Sequence, residues 1–339
     1  MEVITTVNPH SDFLAELSVN KKVAGLRLNT VMPVKGTVRD QLKHLMKYIG
    51  FKDLWIDLKC RQIRVSRGSE FYNKPRKPRS YKIDGKTIVC DPSDPRVYGD
   101  VVTPPWAVIK IDHKIKVDLS RGPIKVYFND GYTVARLVEI IDGDQLVMLD
   151  GPERVVGAGE SINIVDPSLE IEGFFTGLDE EYIREASSLG LHKYMLSFVE
   201  EDSDIEKVLA LDPKAEIVAK IESERGLEWV RSGYKKFKDN VRLMSARGDL
   251  YVEVTRPDKI LMALKTIVDA DPQAILASRI LTSLRNGPRP TCSDITDVYA
   301  MLKMGYHNFM VGDDICFKRD SLFLALDILN EIGKEHELA

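Results

Sequence analysis

Lys220-Ile221-Glu222 closes one apolar run of the sequence, and Ala246-Arg247-Gly248-Asp249 closes another. Arg27-Leu28-Asn29, Asp57-Leu58-Lys59 (with Arg64 a few residues on) and Ser278-Arg279 stand in the same relation to three more. The carboxylate oxygens of Glu222 and Asp249 suit a hard divalent ion, Mg²⁺ or Mn²⁺. Such an ion, helped by Lys220 and Arg27, could neutralise charge on a transferring phosphoryl group. Gly248 lets backbone approach a ligand closely, and its N–H with that of Asp249 could receive a carboxylate. The chemistry suggested is that of a doubly anionic small molecule bound through a metal. Each residue also has a plainer reading. Lys220 and Glu222 could be a structural ion pair, Arg27 could cover a strand end, and the Ser278 hydroxyl could simply be satisfied locally.

The elements that would position these residues are short and nearly continuous in apolar side chains, as expected of parallel strands buried on both faces. They are Val3 to Val7, Lys22 to Leu28, Leu54 to Leu58, Tyr194 to Val199, Glu216 to Ile221, Val241 to Ser245, Ala274 to Ala277 and Asn308 to Val311. Amphipathic helical patterns alternate with them. Thr37-x-x-Asp40 starts one, with Val38, Leu42, Leu45 and Ile49 as its stripe and Gly50 at its end. Thr291-x-x-Asp294 starts another, which Gly305 closes, and the last helix follows Asp320. Strands alternating with helices predict an α/β protein, a closed (β/α)₈ TIM barrel, whose chemistry lies at the C-terminal ends of the strands.

Residues 69–171 break the rhythm with short alternating runs: Tyr81 to Ile83, Thr87 to Cys90, Val108 to Ile111, Ile124 to Phe128, Thr133 to Ile141 and Gln145 to Leu149. Asp84-Gly85, Asp130-Gly131 and Asp142-Gly143 supply turns between them. Removing this stretch leaves about 236 residues, close to the roughly 250 of an ordinary barrel. The expected organisation is therefore a catalytic barrel from 1–68 and 172–339, with a small β-barrel-like lid domain, 69–171, inserted on its catalytic face.

The 339 residues carry 48 Lys+Arg against 52 Asp+Glu, a balance with no global pull toward nucleic acid or an anionic membrane. It leaves self-association into a homo-oligomer open. No apolar run nears the length of about 20 residues that spans a bilayer, and the N-terminus lacks the basic region of a secretory leader. Four widely spaced cysteines read as reduced thiols, with Cys60 a buried one, so a cytoplasmic protein is expected. The basic run Lys74, Arg76, Lys77, Arg79 and Lys82 reads as a solvated loop at the lid entry, with nucleotide phosphates as its alternative use. His113 is expected on the surface, and His10 beside Pro9 is a weaker candidate for the site.

With these segments in view the sequence resembles pyruvate kinase. Lys220-Ile221-Glu222 followed by Gly226 is similar to that family's K-I-E-x-x-x-G. Ser245 to Leu250 with Glu253 resembles its A-R-G-D-L-G-x-E strand-six signature. Ala277-Ser278-Arg279-Ile280-Leu281, Pro288-Arg289-Pro290-Thr291 and Asp297-Val298 resemble its A-T-Q-M-L, P-R-P-T and S-D-V run. Thr6-Val7-Asn8-Pro9, Arg27-Leu28-Asn29 and Asp57 to Arg64 resemble T-I-G-P, R-x-N and D-T-K-G-P-E-I-R. The resemblance implies a phosphotransferase taking phosphoenolpyruvate and ADP to pyruvate and ATP, with Mg²⁺ or Mn²⁺ held by Glu222 and Asp249. Lys220 would stabilise the phosphoryl group in flight, and Arg27 and Arg64 would grip phosphate. The amides of Gly248 and Asp249 would receive the carboxylate. Ser278, in the place of a threonine, and Thr296, in the place of a serine, would keep hydroxyls for a proton relay. Pro9, with Arg27 and Asn29, would line the nucleotide site, and Asn29 and Asp57 would be the remaining ligands of the family's monovalent cation.

The departures carry expectations of their own. Val31 stands where a serine would ligate potassium, Leu58 replaces a threonine, and Gln62 replaces an acid, all of which weighs against a K⁺ site. Tyr251 replaces a glycine, Arg279 a glutamine, and Gly312-Asp313-Asp314-Ile315 the run S-G-E-T. The sequence stops just after its last helical pattern, so the family's C-terminal regulatory domain, and control by sugar phosphates through it, are not expected. Two alternatives stay open: a metal-dependent aldolase or lyase acting on a pyruvate-like enolate, and a re-purposed paralogue that binds a phosphorylated metabolite without catalysis.

Overall fold

A computed structural model of the chain describes residues 1–32, 36–66, 78–83, 85–91, 96–98, 101–103, 106–152, 156–254 and 256–338. Two units are distinguished, Met1–Cys60 with Phe175–Ala339, and Arg61–Phe174. In the first, eight parallel strands close a barrel. They are β1 Glu2–Val7, β2 Gly25–Asn29, β3 Asp53–Leu58, β4 Lys193–Leu196, β5 Glu216–Ile221, β6 Val241–Ala246, β7 Ile275–Ala277 and β8 Asn308–Val311, and β8 pairs back onto β1. Helices Val38–Met46, Gly177–Ser188, Asp202–Leu211, Glu224–Ser232, Ile260–Ala270, Cys292–Met304 and Arg319–Leu338 follow the strands, making the α/β fold a TIM barrel. No helix among the described residues is long and apolar enough to cross a membrane.

Strand ends move from the expected positions for local reasons. β2 starts at Gly25 because residues 21–22 form a turn, with the Asn20 side chain accepting the Lys22 N–H. β4 stops at Leu196 because Phe198 adopts a left-handed backbone, φ 51°. The capping boxes at Thr37–Asp40 and Thr291–Asp294 form as the spacing predicts, and Gly305 closes its helix at φ 115°. A third, Thr176–Asp179, escaped the sequence reading. Asp179 also accepts the amides of Lys59 and Cys60, and so fixes the chain directly after β3.

Side chains of a closed sheet alternate inward and outward, and this period sets up the site. Ile4, Trp55, Met195, Val218, Met244, Ile275, Ala277 and Met310 form one apolar cluster. Two residues further along, on the same faces of β1, β3 and β5 and just past the end of β4, stand Thr6, Asp57, Lys220 and Ser197. On β2 the corresponding positions are Gly25, Arg27 and Asn29. A Cβ at Gly25 would lie 3.3 Å from the Trp55 indole, so glycine is what lets that ring lie against β2.

In the second unit, Ile162–Ile164, Ile124–Phe128, Thr133–Ile141, Gln145–Leu149 and Trp106–Lys110 form an antiparallel sheet in that order. Its edges are stitched by the segment 63–66. Val65 donates to Glu160 and Ile162 to Ile63 on one side, while Ser66 donates to Lys110 and Asp112 to Arg64 on the other. Alternate residues Ile63, Val65, Ile109, Ile111, Val126, Phe128, Leu137, Leu146, Met148 and Ile162 fill the interior. Residues 61–66, assigned to the barrel on sequence grounds, thus belong to this unit. The hairpin Arg79–Ile83 and Lys86–Cys90 packs Ile83 and Cys90 against Trp106, Val108, Val147 and Leu149. His113 is buried rather than exposed, because it sits between Ile111 and Ile115, both part of the core, with Nδ1 3.1 Å from Asp112. Asp84 of one expected turn, and Lys74, Arg76 and Lys77 of the basic run, lie outside the described residues. Arg79 of that run pairs with Glu139 instead of standing free.

Candidate active site

The polar layer at the barrel mouth is one connected network. Lys220 Nζ lies 2.8 Å from Ser197 Oγ, 3.3 Å from Asp57 Oδ1 and 3.3 Å from Glu222 Oε1. The Arg27 guanidinium grips the other Asp57 oxygen at 2.6 and 2.8 Å, donates to Thr6 Oγ1 at 3.0 Å, and pairs with Asp313. Asn29 Nδ2 donates to Asp313 at 2.7 Å. Phe198 N–H donates to Glu222 Oε2 at 2.8 Å, an approach that its left-handed backbone permits. Arg27, Asp57, Lys220 and Glu222 are all buried.

Burial in a low-dielectric mouth sets the electrostatics. Burial works against the charged Lys220, yet Asp57 and Glu222 outweigh it, and the ammonium is held above its ordinary value. Asp57 is likewise resisted by burial, but Lys220 and Arg27 carry its carboxyl below the usual range. Glu222 goes the other way. Burial pushes it up to about 7, Asp249 reinforces the rise, and Lys220 opposes it. With Glu222 ionised, Asp57, Glu222, Asp249 and Asp313 set four carboxylates against the two cations Arg27 and Lys220, a formal charge of −2 that protonation of Glu222 would reduce to −1. Among the described residues no group of three or more His, Cys, Asp or Glu side chains is placed to hold a metal. Glu222 and Asp249, coupled electrostatically, are oxygen donors of the kind that Mg²⁺ or Mn²⁺ takes alongside water.

A rise from the ordinary 4.5 to about 7 at Glu222 is worth about 3 kcal/mol. The folded state binds this proton more tightly than the unfolded state. The contribution of Glu222 is therefore most favourable below about pH 4.5 and is lost as the pH climbs to about 7. Chemical denaturation of the metal-free protein across that window should show wild type losing stability relative to Glu222→Gln. Parallel pH profiles for the two would contradict this electrostatic assignment.

The remaining candidates differ in where the structure places them. Gly248 and Asp249 lie in the first turn of the helix Arg247–Glu253, directly after β6. Gly226 is required because a Cβ there would stand 2.9 Å from the Val199 carbonyl, where the helix after β5 packs closest. Ser278, just past β7, offers its carbonyl to Arg247. Pro9 is buried, with its carbonyl 2.9 Å from His44 Nε2, and His10 is exposed. Thr296 is not brought into the cluster. It is exposed, and its hydroxyl donates back to the carbonyls of Cys292 and Ser293 in its own helix. Arg64 belongs to the second unit, where its guanidinium binds the Gly159 carbonyl at 2.6 Å and the side chain of Gln62.

The residues expected beside a monovalent cation have protein partners in the structure. Both Asp57 oxygens accept from Arg27 and Lys220, the Asn29 side-chain Oδ1 accepts the Val31 N–H at 3.2 Å, and the Val31 side chain has no ligand to offer. Ser197, Phe198 and Asp313 are the residues that sequence reasoning missed. The signal for Ser197 was a hydroxyl at the C-terminal end of an apolar barrel strand, and for Asp313 the first acid after β8. Two departures noted in the sequence prove to be partners, since the Arg279 guanidinium lies 4.5 Å over the Tyr251 ring.

The family model "Pyruvate kinase, barrel domain" matches residues 98–314. Among curated proteins, the pyruvate kinase of Naumovozyma castellii is 28% identical over 53% of this chain and 36% of its own length. Those of Thermotoga maritima and Methanocaldococcus jannaschii are 24% and 26% identical over 67% of this chain and 50% of theirs. The chain thus spans between about a third and a half of the length of these relatives.

Proposed function

The chain belongs to the pyruvate kinase family, and from that premise we propose that it transfers the phosphoryl group of phosphoenolpyruvate to ADP, in the cytoplasm, yielding pyruvate and ATP. The observation that carries this reading is the charge of the barrel mouth. Arg27 and Lys220 are already neutralised by neighbouring acids, so an anionic substrate has little reason to enter until a divalent cation offsets the remaining negative charge. Glu222 and Asp249 would hold that Mg²⁺ or Mn²⁺. When bound, the ion would neutralise negative charge on the substrate.

The chain's own groups supply the rest. The amides of Gly248 and Asp249 receive the substrate carboxylate, and Arg27 turns its guanidinium to the phosphate. Lys220, held by Ser197 and Asp57, points a fixed ammonium at the phosphoryl group while the bond to the enol oxygen breaks and the bond to the ADP oxygen forms. The Ser278 hydroxyl then gives a proton to the enolate carbon. Nucleotide contacts near Pro9 belong to the same proposal.

ADP with Mn²⁺ should raise the melting temperature of the protein. A pyruvate aldolase or lyase, which needs no nucleotide, would be indifferent to ADP, and that result would overturn the kinase reading in favour of the other. Because both Asp57 oxygens carry ion pairs and Val31 offers no ligand, turnover should be the same in Na⁺ and K⁺ buffers of equal ionic strength. A large activation by K⁺ would contradict that geometry. The stacked pair Tyr251 and Arg279, placed one residue from Ser278, favours a second reading in which the barrel takes a different phosphorylated metabolite. Metal-dependent binding of phosphoenolpyruvate without turnover would support it.

A further inference from the structure

Three non-glycine residues within four positions have left-handed backbone directly after β7, with φ of 67° at Ser278, 57° at Arg279 and 50° at Leu281. Such conformations persist only where the surroundings over-determine them, and they concentrate at functional sites. Here Arg247 does so at the first of the three. Its Nε and Nη2 donate to the Ser278 carbonyl at 3.1 and 3.0 Å, and its Nη1 reaches both oxygens of Asp297 at 2.9 and 3.0 Å. The guanidinium is almost fully buried, so these bonds are little weakened by water. Its planar fork can bind a carbonyl and a carboxylate at once in fixed directions, whereas a lysine ammonium provides charge without that geometry. Nothing above gives Arg247 or Asp297 a part in the chemistry.

We propose that Arg247, braced by Asp297, is a positioning residue that holds Ser278 in its left-handed backbone and so aims the hydroxyl at the carbon to be protonated. The inference rests on the phosphotransfer reading. After the phosphoryl group has left, the O–H bond of Ser278 breaks as a C–H bond forms at the enolate methylene, and the enolate oxygen becomes the ketone of pyruvate. The serine oxygen then recovers a proton from water, and no oxidant or further reactant is needed.

Two readouts on the same preparations separate the clamp from the phosphoryl step. ATP formation from phosphoenolpyruvate and ADP tests the reading itself, while deuterium exchange into the methyl group of pyruvate, followed by NMR with Mg²⁺ present, tests the proton-transfer step. Arg247→Lys and Asp297→Asn should each slow the exchange by about tenfold or more, a fraction of what a positioned acid contributes, with the Mn²⁺-dependent affinity for phosphoenolpyruvate unchanged. Ser278→Ala should slow it further, and Arg247→Lys added to Ser278→Ala should have no additional effect. If Arg247→Lys does not fold, Asp297→Asn, which keeps the size of the side chain, carries the same comparison. Exchange at the wild-type rate in these variants, or additive losses in the double variant, would overturn the clamp while ATP formation by the wild type still upheld the reading. Absence of ATP formation by the wild type would overturn the reading and this inference with it.

Discussion

Lys220→Met is expected to lower kcat for phosphoryl transfer by at least about 10²–10³-fold, the loss that follows removal of one fixed electrostatic partner of a developing charge. The ammonium has no other task at the mouth that a neutral side chain could take over. It is buried, it stands 2.8 Å from Ser197 Oγ and 3.3 Å from each of two carboxylates, and its proton is held above the ordinary range by Asp57 and Glu222. Methionine matches its length and leaves the strand packing of β5 in place, so the far-UV circular dichroism should keep its barrel signature. Because the lysine acts on charge that develops during transfer, KM for phosphoenolpyruvate should move far less than kcat. Turnover within a few-fold of wild type would remove Lys220 from the chemistry and return it to the role of a structural ion-pair partner.

The second large effect is on stability. Asp57→Ala is expected to cost about 3–5 kcal/mol, as for other buried ion pairs that lose one partner. Among the described residues Asp57 is the acid shared by both cations of the mouth, with one oxygen on Lys220 and the other on Arg27. Removing it leaves two buried positive charges, of which only part is met by Glu222 and Asp313. The same residue sets a pH dependence opposite to that of Glu222. Its carboxyl lies below the ordinary value of 3.8 in the folded state, so its stabilisation is present above that value and is lost as the pH falls through the lower, folded one. Urea titrations at neutral and acidic pH would show both features. A loss under about 1 kcal/mol for Asp57→Ala would mean that the network is not held together through this residue.

The barrel was legible in the sequence because its strands are buried on both faces and read as unbroken apolar runs. β5 and β8 have the expected limits, while β2 and β4 shift where a turn at residues 21–22 and the left-handed Phe198 end the extended backbone. The β unit was legible from alternation and turns. Its stitching segment 63–66 was not, since Ile63-Arg64-Val65 follows β3 so closely that it reads as part of the barrel, and only its hydrogen bonds to Glu160 and Lys110 assign it elsewhere.

In the site, Lys220, Glu222, Arg27 and Asp57 could be found from their places at strand ends. Asp313 could not, because it lies in a run that departs from the family's pattern, and its link to Arg27 and Asn29 depends on barrel closure between β8 and β1. Arg247 was in view throughout as part of a signature, yet its hold on Ser278 depends on left-handed backbone after β7, which no spacing of residue types announces. Thr296 shows the converse, a hydroxyl placed by resemblance that the helix turns back on itself.

The most direct test of the account is pyruvate formation from phosphoenolpyruvate and ADP by the intact chain, measured with and without Mg²⁺ or Mn²⁺ in buffers of Na⁺ or K⁺. The account predicts turnover that requires the divalent ion, is indifferent to K⁺, and disappears in Glu222→Gln. Turnover that persists after chelation of divalent ions, or no turnover at all when phosphoenolpyruvate and metal are both bound, would contradict it.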